Sequence, residues 1–158
     1  MESLTEVAAA VESTAESLLA VLDSARLAQT PAVPPAQLRV LTIIAGSRHT
    51  NMSRLAEALD VVPSSASRLC DRLEATGLLR RVPDPRDRRE VRLLLTPAAR
   101  QLLAQLRERR RVALAEVLKK MPPARCQDLV QALAAFDAAA SAAERSVPEG
   151  ADADLRSA

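Results

Sequence analysis

The first 29 residues carry an apolar stripe that limits what the whole chain can fold into. From residue 2 to residue 29, apolar side chains recur at the i, i+3, i+4, i+7 spacing of an α-helix. They are Leu4, Val7, Ala8, Val11, Ala15, Leu18, Leu19 and Leu22. So long a helix cannot cover its own stripe, and it requires a partner helix from this chain or from another. Prolines in the segment 30–35 end the helix, because proline cannot continue its hydrogen-bond ladder.

The shortage of aromatic residues favours helices elsewhere too. Phe136 is the sole aromatic side chain among 158 residues, so the core must consist of Leu, Val, Ile and Ala, which support a large β-sandwich poorly. No apolar run reaches the ~18–20 residues that cross a bilayer. The acidic start also lacks the positive segment of a secretory signal. We therefore expect a cytoplasmic protein without a membrane segment.

Prolines, glycines and polar caps divide the middle of the chain into short elements. Pro35 suits the first turn of a helix, which is predicted over 35–46 with Leu38, Leu41, Ile44 and Ala45 facing inward. A helix over 52–59, capped by Thr50 or Asn51, leads through the three-residue turn 60–62 into another helix. That helix begins at Pro63 and ends at Gly77, where a C-terminal cap requires a positive φ.

The sequence after Gly77 changes to a hairpin and then returns to helices. Strands are predicted over 78–82 and 90–95, joined by a charged loop with two prolines. Thr96 and Pro97 begin a helix to about residue 120, and a last helix covers about 122–143. The fold is thus predicted as one mainly α-helical domain with a small β-hairpin. A winged helix-turn-helix at 35–96 lies between long helices at 1–30 and 97–143, and 144–158 forms a frayed tail.

Charge is concentrated in the middle of the chain. Residues 68–111 contain thirteen arginines and six acids, a local balance of +7, whereas residues 1–25 contain five acids and no base. The net charge of +2 hides this contrast. A basic segment between acidic ends indicates a surface directed at a polyanion.

The helix after the three-residue turn has the properties of a DNA-recognition helix. Ala66, Leu69, Cys70 and Leu73 fall on its core side, which leaves polar side chains on the others: Ser64, Ser65, Ser67, Arg68 and Arg72. Small residues permit close approach to base edges, and Arg68 can bind a guanine through two hydrogen bonds. Capping and solvated surface are the alternatives for the serines. Arg72 is open between a phosphate contact and pairing with Asp71 or Glu74.

The hairpin loop is the second basic element. Its tip combines Arg86, Arg88 and Arg89, whose mutual repulsion Asp84 and Asp87 partly relieve. Arginines on such a tip fit the narrow minor groove, where negative potential is concentrated. The loop by itself indicates only a solvated turn, but its position after a helix-turn-helix favours DNA.

These segments resemble the MarR family of bacterial transcription regulators. The resemblance is carried by residues 55–59, 67–81 and 87–96, and by the family's wing pattern at Asp87, Arg89, Leu95 and Thr96. It implies a homodimer with intertwined first, fifth and sixth helices that binds a palindromic DNA operator, usually as a repressor. It also implies that Arg89 enters the minor groove, that Asp87 orients Arg89 through a salt bridge, and that Arg86 and Arg88 contact the backbone or extend the minor-groove contact.

The chain departs from the family at its sensor sites. Many members bind small phenolic or lipophilic acids in pockets with aromatics, but here no effector can be identified. Members that sense oxidants use a cysteine in the first helix, which this chain lacks. We interpret Cys70 and Cys126 each as a buried free thiol, with a disulfide as the weaker alternative. A reactive thiol is a further alternative for Cys70, and Cys126 lies at the start of the last helix. A single histidine, His49, argues against a metal site, and we expect it to be an ordinary loop residue. No cofactor is expected.

A protein-interaction module and an enzyme are the two other function classes. A winged helix can dock another protein through its wing without binding DNA, which remains the alternative. An enzyme is set aside, because the sequence contains no nucleophile, metal or cofactor motif and little material for acid–base chemistry.

Overall fold

The fold was analysed in a computed structural model, which describes residues 3–28, 32–87 and 89–145. It divides the chain into two compact units, Met1–Leu114 and Ala115–Ala158. The predicted frayed tail lies largely outside the described residues, since these end at Arg145. No helix within the described ranges is long and apolar enough to cross a membrane.

The described residues form six helices and one two-stranded sheet, which confirms the predicted fold class. The helices are α1 (Leu4–Leu27), α2 (Pro35–Gly46), α3 (Met52–Leu59), α4 (Pro63–Ala75), α5 (Pro97–Leu118) and α6 (Pro123–Arg145). The strands are β1 (Leu79–Pro83) and β2 (Val91–Leu95). The predicted helix starts at Pro35, residue 52, Pro63 and Pro97 agree with the structure, while both strands begin one residue later than predicted.

Side-chain caps explain where several helices begin. Ser3 and Glu6 form a reciprocal capping box at α1. At α3 the cap is Asn51, whose side chain accepts the Arg54 amide at 2.9 Å, rather than the alternative Thr50. Thr96 Oγ1 accepts the Ala99 amide at 3.2 Å and donates to the Gly77 carbonyl at 2.7 Å, so this hydroxyl joins the start of α5 to the end of α4.

The core of the first unit lies between the short helices and the hairpin. Its largest fully buried side chains come from five elements: Leu41, Leu55, Leu73, Leu79 and Leu93. The first half of α5 joins them through Ala99, Leu102, Leu103 and Leu106. Of the residues predicted to face inward on α2, Ala45 is wrong because it is exposed, and Val40 is buried in its place. α2 packs against α3, α4 and β2, so three neighbouring elements and not helical spacing alone decide which of its residues are buried.

The hairpin is tied to the loop that precedes α3. β1 and β2 pair antiparallel, with Leu79 opposite Leu95 and Pro83 opposite Val91. Asn51 forms an isolated bridge with Arg92, and the Leu93 amide donates to the Thr50 carbonyl at 3.0 Å. The loop before α3 therefore pairs with β2 at one point, and this pairing fixes the base of the wing beside α3.

The long terminal helices leave much of their apolar surface open in this single chain. Within the described part of α1, Ala25 is the only buried residue, while Leu4 and Leu19 are 88% and 58% exposed. In α6, Val130 and Phe136 are 65% and 64% exposed. The apolar stripe identified in α1 is thus largely exposed, and α6 carries a second exposed apolar stripe, formed by Leu129, Val130, Leu133 and Phe136.

The two cysteines are free and differ in exposure. Cys70 is fully buried in the core, and burial raises the pKa of its thiol to about 11. This confirms the predicted buried thiol. Cys126 is half-buried and not buried as predicted, and its Sγ donates to the Leu118 carbonyl at 3.6 Å. Only a thiolate is an effective nucleophile. Cys70 is therefore unreactive for two reasons: reagents cannot reach its buried Sγ, and its raised pKa keeps the thiol protonated.

We predict opposite effects of alanine at two glycines. Gly77 has a φ of +73°, a region that side chains adopt at a cost, although nothing lies within 4 Å of an added Cβ. Gly77→Ala should lower the free energy of unfolding by about 1 kcal/mol. Gly46, the last residue of α2, also has open space but no positive φ. Gly46→Ala is the matched control and should leave stability unchanged or raise it in urea titrations. Equal destabilisation of both variants would contradict the assignment.

We also predict that a thiol reagent distinguishes the two cysteines. At neutral pH the folded protein should react with DTNB at Cys126, and a Cys126→Ser variant should release no thionitrobenzoate until urea unfolds it. Cys70→Ser provides the reciprocal control. Rapid modification of Cys70 in the folded Cys126→Ser protein would show that α4 opens without global unfolding.

Candidate nucleic-acid interface

A tight turn sets the direction of α4 relative to α3. Asp60 adopts a left-handed conformation with a φ of 54°, which aspartate tolerates better than most residues. The Val61 amide then donates to the Ala56 carbonyl at 3.1 Å, and Pro63 follows at the first turn of α4. The sequence therefore builds the short turn of a helix-turn-helix from local backbone preferences.

One side of α4 faces the core and the other faces solvent. Ala66, Cys70 and Leu73 are completely buried. Ser64, Arg68 and Arg72 are exposed and lie four residues apart, so they form a single outward stripe. Ser65 and Ser67 are half-buried beside it.

The capping role considered for the serines does not apply to this helix. Its N-cap residue is Val62, and α4 has no side-chain cap hydrogen bond. Pro63 occupies the first turn, where a missing amide hydrogen leaves less for a cap to satisfy. The serine hydroxyls are therefore not committed to capping the helix.

Arg81 of β1 is a residue that sequence reasoning missed. Its Nη1 lies 2.7 Å from Asp71 Oδ1 and 2.9 Å from Glu74 Oε2, and Nη2 donates to the Ser67 carbonyl at 3.4 Å. These contacts tie α4 to the hairpin. The hydrogen bond with Asp71, the largest cause, and the nearby carboxylates raise the pKa of Arg81. Asp71 and Glu74 lie three residues apart on α4, shortly before β1. This spacing is the sequence pattern from which their contact with a basic residue of the strand could have been predicted.

The partners of Arg81 also correct the interpretation of Arg72. Pairing of Arg72 with Asp71 or Glu74 was one of its two expected roles, but both carboxylates are engaged by Arg81. Arg72 is exposed. The α4 acids are consequently neutralised by the strand, and the arginines of the exposed stripe keep their charge.

Two aspartates shape the wing loop through its backbone. Asp84 Oδ1 accepts the Arg86 amide at 2.8 Å, and Asp87 Oδ1 accepts the Arg89 amide at 2.9 Å. Each bond spans two residues and forms an Asx-turn. The Glu90 amide donates to the Asp87 carbonyl at 2.9 Å, and the Asp84 amide to the Glu90 carbonyl at 2.8 Å, which closes the loop.

This geometry revises how the loop charges interact. The expected salt bridge between Asp87 and the Arg89 guanidinium is absent from the ion pairs of the described residues, and the Asp87 carboxylate holds the Arg89 backbone instead. Arg86, Asp87 and Arg89 are exposed. Arg88, the remaining predicted wing residue, lies outside the described residues.

Asp84 is not the surface counter-charge that its loop position suggested. It is buried at 7% exposure, with Oδ2 lying 3.9 Å from Arg92 Nε and 4.0 Å from His49 Nδ1. The Arg86 amide, the largest cause, lowers the pKa of Asp84, and the charges of Arg92 and His49 act in the same direction. His49 was expected to be an ordinary loop residue, and the fold brings it to the base of the wing.

The described residues offer no group of three or more His, Cys, Asp or Glu side chains that could hold a metal ion. The outward-facing groups are instead hydroxyls and guanidinium groups, which donate hydrogen bonds to base edges and phosphates.

Comparisons with known proteins agree with this geometry. The family model described as the MarR family matches residues 33–90. A transcriptional regulatory protein for the hcr operon of Thauera aromatica is 37% identical over 79 residues, which cover 50% of this chain and 48% of that protein. The HTH-type transcriptional repressor MdtR of Bacillus subtilis is 39% identical over 64 residues, covering 40% and 41% of the respective chains. The match thus spans about half the length of these curated relatives or less.

A solved structure extends the likeness beyond the winged helix. The crystal structure of RV1404 from Mycobacterium tuberculosis has 32% sequence identity and a TM-score of 0.79, and the match covers 89% of this chain and 96% of that one. The likeness of the backbone therefore extends over nearly the entire length of both chains. The chain belongs to the MarR family, and the relatives that it matches in sequence are transcriptional regulators.

Proposed function

We propose that the protein is a homodimeric repressor that binds a palindromic operator in the cytoplasm. The observation that carries the proposal is the outward stripe of α4, in which Ser64, Arg68 and Arg72 are exposed while the opposite side forms part of the core. A helix packed in this way can lie in the major groove without losing its support.

In this proposal α4 is the element that recognises the base sequence of the operator. Arg68 reads a guanine through two hydrogen bonds, and Arg72, one turn further along, contacts a phosphate. The hydroxyls of Ser64, Ser65 and Ser67 hydrogen-bond to base edges or the backbone at the helix start, where the helix dipole also favours phosphate.

The wing supplies a minor-groove contact. Arg89 is proposed to enter the groove and Arg86 and Arg88 to contact the adjacent backbone, since arginine is attracted to the negative potential there. Asp87 has the supporting role, because its carboxylate holds the Arg89 amide at 2.9 Å. Asp87 thus orients Arg89 through the turn of the backbone and not through its guanidinium group.

The uncovered apolar stripes support the homodimer. Leu4 and Leu19 of α1 and Val130 and Phe136 of α6 are more than half exposed, and regulators of this family form dimers. A two-fold dimer presents two copies of α4 to half-sites about one helical turn, ~34 Å, apart. We therefore propose that α1, α5 and α6 intertwine with those of a second copy.

A small-molecule effector is a further part of the proposal. Some regulators of the family bind such ligands. An effector that favours one spacing of the two recognition helices would change operator affinity through its differential affinity for the two arrangements.

We predict that selection from a random duplex pool yields a palindrome and that two arginines contribute differently to its binding. Arg68→Ala should weaken binding and relax base preference at one position per half-site, at a cost of about 1–3 kcal/mol. Arg89→Ala should weaken binding with a smaller change in base preference. For each lost phosphate contact, the slope of log affinity against log salt should become about one unit shallower.

The control for charge is Arg125→Ala, since Arg125 is an exposed arginine on α6 that pairs with Asp128 at 3.3 Å. It should bind the selected duplex like the wild type. Unchanged affinity of both Arg68→Ala and Arg89→Ala would contradict the DNA-contact assignment and favour a protein-docking wing.

We predict that a charge on the exposed stripe of α6 dissociates the dimer. The wild type should elute with about twice the chain mass of 17.0 kDa in light-scattering chromatography. Phe136→Asp should shift it towards one chain, because a buried unpaired carboxylate is costly. Gln131→Asp adds the same charge to the opposite side of α6 and should remain dimeric. A dimeric Phe136→Asp protein with unchanged circular dichroism would exclude this stripe from the interface.

A further inference from the structure

The wing contains a buried acid that simple electrostatics does not explain. Among the described residues Asp84 is the only buried charged side chain, and it lies in a loop with Arg86 and Arg89. Burying a carboxylate is costly unless it is paired and hydrogen-bonded. A negative charge on a DNA-facing wing also opposes the approach of phosphates. The carboxylate of Asp84 therefore needs a role that compensates for the cost of its burial and for its repulsion of phosphates.

Asp84 joins three segments of the chain. Its Oδ1 accepts the Arg86 amide in the wing loop at 2.8 Å. Its Oδ2 lies 3.9 Å from Arg92 Nε of β2 and 4.0 Å from His49 Nδ1 of the loop before α3. One carboxylate thus links the wing loop, the strand behind it and the entrance of the helix-turn-helix.

The surroundings of this cluster are polar. A cavity of about 310 Å³ separates the loop before α3 from the wing. Besides Asp84 and His49, the charged groups facing it are Arg54 from α3, Arg86 and Asp87 from the wing loop, Glu90 at its end, and Arg92. Apolar packing does not fill this space, so the wing loop is held to the helix-turn-helix through charge and hydrogen bonds. Such contacts depend on the ionisation of their members.

We propose that the negative charge of Asp84 positions the wing for DNA, and that protonation of His49 strengthens this hold. The proposal rests on the DNA-binding wing of the proposed function and adds a positioning residue and a response to pH. Asp84 acts through Arg86 and the loop backbone and does not itself touch DNA. An imidazolium at His49 attracts the carboxylate from the helix-turn-helix side and supplements Arg92.

The proposal and plain electrostatics predict opposite signs for one substitution. Asp84→Asn keeps the size of the side chain and removes a negative charge near the DNA. If charge repulsion dominates, the variant binds the selected duplex more tightly. If Asp84 positions the wing, it binds about tenfold more weakly, the loss expected for one charge-assisted hydrogen bond. Equal or tighter binding by the folded Asp84→Asn protein would overturn the proposal.

Glu90→Gln is the matched control. Glu90 is an exposed acid at the end of the same loop, and its Oε2 accepts the Asn51 side-chain amide at 3.4 Å. Its removal changes the local charge by the same amount without touching the Asp84 cluster. The variant should bind as tightly as the wild type or more tightly. If it weakens binding as much as Asp84→Asn, a general charge effect replaces positioning and the proposal fails.

The pH profile adds a readout that a merely structural role would not move. Because a protonated imidazole is cationic, wild-type affinity should rise as the pH falls from about 8 to about 5.5. His49 is the single histidine of the chain, and His49→Gln should flatten the profile. Asp84→Asn should flatten it too. If the pH response persists in Asp84→Asn, the imidazolium acts directly on the DNA, and the proposed effect of His49 through Asp84 is wrong.

Hydrogen exchange in the DNA-free protein separates this proposal from the proposed function. The Arg86 amide donates to Asp84, and its exchange should be faster in Asp84→Asn than in the wild type or in Glu90→Gln. Unchanged exchange at Arg86 would contradict positioning even if DNA binds. Failure of the wild type to bind any selected duplex, together with the expected exchange, would overturn the proposed function alone.

Discussion

The packing of one face of α4 against the core is the interaction on which the rest of the structure depends. Ala66, Cys70 and Leu73 are completely buried, and this fixes the rotation of the helix about its axis. Because side chains four residues apart share a face, the rotation turns Ser64, Arg68 and Arg72 outward together. A polar group at Cys70 or Leu73 would disturb both the core and the presentation of this stripe.

Arginines surround the candidate nucleic-acid interface of α4 and the wing. The acidic residues among them stabilise the fold. Asp71 and Glu74 bind Arg81, which ties α4 to β1. Asp84 and Asp87 form the two Asx-turns of the wing loop. The acids therefore stabilise the backbone on which the exposed guanidinium groups stand, and a local balance of +7 underestimates how positive the outward face is. Arrangement rather than composition gives the surface its character.

The long terminal helices relate the fold to assembly. α1 and α6 leave large apolar side chains in contact with water, and exposed apolar patches of this kind commonly mark interaction surfaces. The short helices and the hairpin, in contrast, share a core with the first half of α5, and its buried leucines come from α2, α3, α4, β1, β2 and α5. The winged helix therefore has a packed support that does not require the apolar stripes of α1 and α6.

The sequence by itself determined the order of elements, since local rules decide where helices begin and end. Prolines at the first turn, the Asn51 and Thr96 caps and the positive φ of Gly77 are properties of a few neighbouring residues. Helical spacing likewise separated the outward stripe of α4 from its buried face. The resemblance then indicated the family, because its motifs extend over much of the winged helix.

The tertiary structure decided which charges pair and which are buried. Arg81, not Arg72, binds the acids of α4, Asp87 holds the backbone of Arg89 rather than its guanidinium, and Asp84 lies buried between Arg92 and His49. Asp84 is 35 residues from His49 in sequence, and only the pairing of the hairpin with the loop before α3 brings them together. Ionic contacts depend on distance in space and on solvent exposure, and neither can be read from the order of charges along the chain.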